Sequence, residues 1–316
     1  MPNINIDDAY ILEETGAQVD KVTGLFTKDE NTTSGEKAFA QLNIGASGGG
    51  GGGRNLLDNP FFRVNQRYFS SSTANGLTVD RWRQHNCNTA VRGAGGLRIR
   101  STNGGTFYEN CPYDALLIGS TVTISVMYAD GTVDSGAVVI PSSGTAYTGS
   151  FSNGARLGIT VTGTSMIGFQ FELPANADIS VYAFKWELGS VSTLANDAPP
   201  NYAEELAKCN FYDTMLKTSA QYGYCGYGIA DSATSATILI PLPNNMRDAT
   251  PTITTSGTIA VKGGTSGMHT ITGITFKLRV TGGVLVTVET AGLTTGEFCL
   301  LQLNNTSSYI NISADL

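Results

Sequence analysis

The chain is short of charge. Asp, Glu, Lys and Arg make up 14% of its 316 residues, against roughly 25% in an ordinary soluble domain. The net charge is −7 and no Lys/Arg cluster is present. Phosphate backbones are held through concentrated positive charge, so no nucleic-acid partner is expected. Histidine is scarce too. His85 and His269 have no metal-ligand spacing partner of the His-x-x-x-His kind, and neither a metal nor a cofactor is expected. No apolar run approaches the roughly 18 residues of a membrane span, and residues 1–20 lack a basic stretch followed by an apolar one. The expectation is synthesis in a cytoplasm, without membrane insertion. Cys87, Cys111, Cys209, Cys225 and Cys299 are odd in number and have no C-x-x-C spacing, so they read as mostly buried thiols.

Catalytic motifs are missing as well. The sequence has no G-x-S-x-G elbow, and its glycine run ends in Arg54-Asn55-Leu56 rather than in a Lys-Ser/Thr phosphate loop. Two pairs come nearest to chemistry. His85 and Cys87 are two residues apart, on one face if they lie on a strand. Glu172 and Glu187 could supply the two carboxylates of a glycosidase. The first pair reads better as a polar histidine beside a core thiol, the second as charges on the solvent face of alternating strands. The chain is expected to be no enzyme.

What is abundant is glycine: 38 residues, nearly twice the usual share of roughly 7%. There is no Gly-X-Y period, and 41% hydrophobic residues can fill cores, so the expectation is a globular, turn-rich, mainly β protein. Its length suits two or three domains. Residues 1–46 hold two short helical patterns, one on Val19, Val22 and Phe26, the other behind a Thr33-x-x-Glu36 capping box. This short, partly helical N-terminal arm buries too little to fold alone and should order by docking. Residues 47–53, with six consecutive glycines, form a flexible linker.

Residues 54–194 alternate as strands do. Val122, Ile124, Val126 and Tyr128 share one face, as do Leu157, Ile159 and Val161, then Ile167, Phe169, Phe171 and Leu173, then Tyr182, Phe184, Trp186 and Leu188. Asn-Gly and Asp-Gly turns separate the runs. A jelly-roll or β-sandwich module is predicted, with Trp82 and Trp186 in its core. Residues 195–217 form a connecting α-helix: Glu204 and Glu205 are near its start, and Tyr202, Leu206, Cys209, Tyr212 and Leu216 make one apolar stripe, for packing or for an oligomer axis. Residues 218–316 form a second, smaller C-terminal β-module, in which Ile274, Phe276, Leu278 and Val280 alternate opposite Val284, Val286 and Val288 across Gly282-Gly283.

Four blocks resemble, in order, a module and its C-terminal segment common in bacteriophage fibre proteins. They are NLLDNPFFRVNQR (55–67) with TVDRW (78–82), IGSTVTISVMYADG (118–131) with AFKWELGSVST (183–193), NYAEELAKCNFYDTML (201–216), and IPLPNNMRDATPTIT (240–254) with YINISADL (309–316). EKAFAQLNIGA (36–46) is similar to segments that precede a fibre shaft. The resemblance implies a fold like that of carbohydrate-binding jelly rolls. It also implies a homotrimeric tail- or head-fibre protein on the virion surface, attached to other virion proteins through residues 1–46 and contacting a host-surface glycan. The alternatives are a structural capsid or tail decoration without a receptor and, less favoured, a polysaccharide depolymerase. Sugar stacking needs exposed aromatic faces with polar neighbours, which singles out Tyr108, Tyr113 and Tyr147. Tyr222, Tyr224 and Tyr227, in SAQYGYCGYG, are expected at a subunit interface rather than in a receptor groove.

Overall fold

A computed structural model describes residues 53–248 and 250–314. The expectations for the arm at 1–46 and for most of the glycine linker therefore lie outside the described residues. Among the described residues the fold is mainly β, in several antiparallel sheets with one α-helix. The first module holds β1 (Ser71–Ser72), β2 (Gly76–Leu77), β3 (Trp82–His85), β4 (Asn88–Val91), β5 (Leu97–Pro112), β6 (Thr121–Tyr128), β7 (Val133–Val139), β8 (Gly144–Tyr147), β9 (Arg156–Thr162) and β10 (Met166–Leu188). Then come α1 (Tyr202–Tyr212), β11 (Asp213–Lys217), β12 (Gly223–Ser232), β13 (Ser235–Pro241), β14 (Thr252–Ser256) and β15 (Ile259–Gly263). The chain continues through β16 (Gly267–Thr270), β17 (Gly273–Val280), β18 (Gly283–Glu289), β19 (Phe298–Leu303) and β20 (Tyr309–Ser313).

The first module is folded around one long antiparallel ladder, in which β10 pairs β5 from Met166↔Pro112 to Val181↔Leu97. The ladder breaks at Pro174, which has no N–H to donate. Gly104 (φ 89°) and Asn176 (φ 59°) lie beside the break. One half of the ladder is flanked by β3 and by β9 with β8, the other by β4 with β1 and by β6 with β7. Folded over, the halves enclose an aromatic core. Phe184 from one half lies 5.1 Å from Phe169 and 5.2 Å from Phe171 of the other, ring centre to ring centre. Trp82 stacks on Phe107 at 5.1 Å. Both tryptophans are buried, as the alternating pattern predicts. At Lys185 and Glu187 the opposite face of β10 is buried as well, which that pattern did not foresee. Lys185 and Glu187 lie under the 189–197 segment, where Lys185 Nζ reaches Asp197 (2.6 Å) and Thr193 donates its N–H to Glu187 (2.8 Å). Glu187 is thus no solvent-face charge; its partners from that segment make burial tolerable.

The helix is shorter than predicted. Asn201 caps it by accepting the Ala203 N–H at 2.9 Å, and Glu204 and Glu205 occupy its first turn. It stops at Tyr212 because residues 213–217 pair with β20, in register from Asp213↔Ser313 to Lys217↔Tyr309. A partner strand overrides local helix preference here. The five-residue stripe is therefore split. Cys209 and Tyr212 are buried, Leu206 is half-buried, Tyr202 is exposed, and Leu216 lies on β11 against the second core.

The second module packs a seven-stranded sheet (β16-β15-β19-β12-β13-β18-β17) on a three-stranded one (β11-β20-β14). Ile238, Ile240, Val286, Val288, Leu301, Ile310 and Ile312 fill the space between. Val284, Val286 and Val288 face this core as predicted, but Leu278 does not follow Ile274 and Phe276. A register shift between Phe276 and Leu278 turns Leu278 outward, where it is 55% exposed.

The modules meet at the helix. Glu205 accepts the Asn59 N–H (2.7 Å) and binds Lys208. The Arg81 guanidinium lies 3.4 Å from the centre of the Tyr212 ring. Arg67 pairs with Asp213 at 2.6 Å and lies 3.9 Å from Asp80. Gln66 donates to Asp80 and to the Asp213 carbonyl, and Asn311 donates to the Asp213 carboxylate. Burial pushes the Asp213 carboxyl up to about 6 despite Arg67, and raises Asp80 too. Because the folded state holds this proton more tightly than the unfolded chain, Asp213's contribution is full below pH ~4 and is lost as pH rises through about 6. Asp213→Asn should flatten the fall in unfolding free energy between those values, measured by urea titration at stepped pH. Arg67→Met strands two buried carboxylates and should cost about 3–5 kcal/mol at pH 7 in the same measurement.

Candidate functional site

The outward face of the β3–β5–β10–β9–β8 layer is built of polar residues and two glycines. Register places Arg83, Tyr108, Gln170, Gly158 and Tyr147 in one cross-strand row. The next row is Asn110, Gly168, Thr160 and Thr145. Alternation explains both rows, since Phe107, Phe169, Phe171, Leu157 and Ile159 point to the core and their neighbours point out. Gly168 leaves a gap in the face, with Asn110 Oδ1 3.2 Å from where a Cβ would sit. A cavity of about 240 Å³ results, bordered by Tyr108, Asn110, Thr160, Gln170, Thr106 and His85.

Gly158 is filled differently. A Cβ there would lie 2.6 Å from the Tyr147 ring, so the ring rests on bare backbone. The Arg156 guanidinium stands 3.8 Å from the same ring and holds Glu172 at 2.9 and 3.0 Å. Partial burial works against the Glu172 charge, but hydrogen bonds from Arg156 and Tyr147 outweigh it and keep the carboxyl below its usual range. Burial and that carboxylate raise the Tyr147 phenol. The trough thus presents amides, hydroxyls and two aromatic rings, with its charges paired internally. Such a surface suits a neutral, hydroxyl-rich ligand with an apolar ring face.

A second, polar cavity of about 480 Å³ adjoins the ladder bend, bordered by Asn75, Asn86, Asn88, Arg100 and Asn103. His85 and Thr106 border the first cavity, Asn86 and Gly104 the second. The two openings are therefore neighbours along β3 and β5.

Of the aromatic residues expected to meet sugar, Tyr108 and Tyr147 share this face, whereas Tyr113 packs against the first core. Sequence reasoning overlooked Gln170, Gly168 and Gly158; the glycines in two outward positions of neighbouring strands were the available signal. His85 and Cys87 separate: Asn86 takes φ 55°, His85 is exposed and Cys87 buried. The Cys87 thiol, pushed up to about 11 by burial, stays protonated at neutral pH. Glu172 and Glu187 lie on opposite halves of β10, one paired with Arg156 and the other buried under the 189–197 segment. Tyr224 and Tyr227 lie on β12 and are exposed; Tyr222 precedes that strand with φ 68° and is exposed too. Among the described residues no cluster of His, Cys, Asp or Glu is arranged to hold a metal, and no helix is long and apolar enough to cross a membrane.

Two antiparallel β-modules, the first with a polar, aromatic-flanked trough on an open sheet face, define the chain by architecture. It matches no protein-family model, and no curated protein matches it. Arg156→Ala should release Glu172 toward the normal carboxylate range, read as an upward shift of its NMR titration midpoint.

Proposed function

We propose that the chain is a non-enzymatic phage fibre protein, on the virion surface, that holds host-surface glycans in the trough of its first module. The carrying observation is the Tyr108 ring beside Asn110, Gln170 and the gap at Gly168, with Tyr147, seated on Gly158 under Arg156, at the end of the same cross-strand row. A pyranose offers an apolar C–H face to a ring such as Tyr108 and its hydroxyls to such amides. The adjoining asparagine-bordered cavity extends the groove, which favours an oligosaccharide over a single sugar. The fibre part of this proposal rests on the resembling blocks. In it, residues 1–46 attach to other virion proteins and the chain acts as a homotrimer. Several weak sites on one particle then raise avidity by ~10²–10⁴.

The trough is open and wet, so single-site affinity should be weak. Glycan-array screening followed by calorimetry on the best oligosaccharide tests the proposal. Gly168→Leu and Tyr108→Ala should each reduce affinity at least tenfold, while thermal unfolding stays near that of the parent chain. Affinity unchanged in both variants would remove the trough as the site, and an array with no bound glycan would remove the glycan.

A further inference from the structure

The outward face of the seven-stranded sheet is unusual for a surface in water. An antiparallel sheet with one solvated face carries polar residues there, and strands apolar on both faces belong to sheets covered on both. Here one cross-strand row runs Leu300, Tyr227, Leu239, Leu285 and Leu278, each directly opposite the next. Lys262 and Met268 extend it over β15 and β16. Phe298 lies opposite Ile229 in the adjacent row. Exposures are 54% for Tyr224, 48% for Tyr227, 56% for Ile229, 54% for Phe298, 50% for Met268 and 55% for Leu278.

Side chains of this size at half exposure leave on the order of 100 Å² each, or roughly 600 Å² for the six. That equals the upper end for the largest patch on a monomer, about 300–600 Å². With the half-buried leucines it approaches the ~800 Å² that each partner contributes to a stable interface. Charge is sparse at its centre, where Lys262 stands alone in the long row. Polar groups flank the long row on one side: from Ile229 the adjacent row continues through Thr237, Thr287 and Thr275, and there Lys277 donates to Thr237 and Thr237 to Asp231. An apolar, charge-depleted middle with a polar edge is the composition of permanent interfaces between copies; transient partners meet on surfaces no more apolar than the average.

We infer that this face is where copies of the chain pack on one another, with Tyr227 and Phe298 near the middle of the contact. The inference rests on the homo-oligomeric part of the proposed function and is independent of the glycan. It places the contact on the β12–β19 pair rather than on α1, whose buried side chains are already used within one chain.

Sedimentation equilibrium of the full chain at ~10 µM should return a multiple of 33.2 kDa. Tyr227→Glu and Phe298→Lys should each weaken association at least tenfold. Val191→Glu, at a residue 72% exposed on the first module, should leave it unchanged. Hydroxyl-radical labelling of the parent chain guards against variants that fail to fold: Tyr224, Tyr227 and Phe298 should be protected at high concentration and labelled on dilution. A 33.2 kDa species in the parent chain, or association that persists in both face variants, would overturn the inference. Glycan affinity at a single trough should not change in Tyr227→Glu or Phe298→Lys, so the loss of one reading leaves the other standing.

Discussion

The arrangement depends on a charge pair shut away from water. Arg67 belongs to the segment that enters the first module, and Asp213 is the first residue of a strand in the second. Their contact at 2.6 Å ties the end of the helix, set by the pairing with β20, to the first module. The interior offers these ions little dielectric support; Asn311 donates to one Asp213 oxygen and Gln66 to both oxygens of the neighbouring Asp80, while the second Asp213 oxygen is buried without a hydrogen bond, in keeping with the raised Asp213 carboxyl. Every group in this cluster constrains its neighbours, which makes the joint between modules a specified contact.

The ladder of β5 and β10 governs the other large feature. A single antiparallel pairing that folds over at Pro174 supplies the middle of both layers. One layer buries part of its outward face under the 189–197 segment, with Lys185 and Glu187 beneath. The other stays open and carries the trough. The same strand is thus a lining of the core, a covered surface and a ligand-facing surface at different points along its length.

Much of this was legible in the sequence. Alternation in Ile167, Phe169, Phe171 and Leu173, or in Val284, Val286 and Val288, marks core faces because a strand has a strict period of two. It fails where the period slips or a second layer intervenes: the bulge beside Leu278 and the loop over Glu187 leave no local signature. The helix end was hidden for a related reason, since β20 arrives from about a hundred residues away. The blocks that resemble fibre proteins turn out to be scaffold. Asn55 bonds the backbone of Phe184 and Trp186, and Asn59 bonds that of Val64 and Asp80 while its carbonyl accepts from Trp82. The trough residues Asn110, Gly158, Gly168 and Gln170 lie outside those blocks, which explains why the architecture could be read while the site remained partial.

The entry segment and the exit helix touch each other directly. Asn59 bonds Glu205, Arg63 reaches the Pro200 carbonyl at 2.9 Å, and Arg67 grips Asp213. Tension applied between the two ends of the described chain therefore crosses from residues 59–67 to 200–213 through these contacts. Asn55, Leu56 and Pro60 also bond the backbone of β10 at Phe184 and Trp186, so a pull on the entry segment is shared between that end of β10 and the junction, both apart from the half of the ladder that carries the trough.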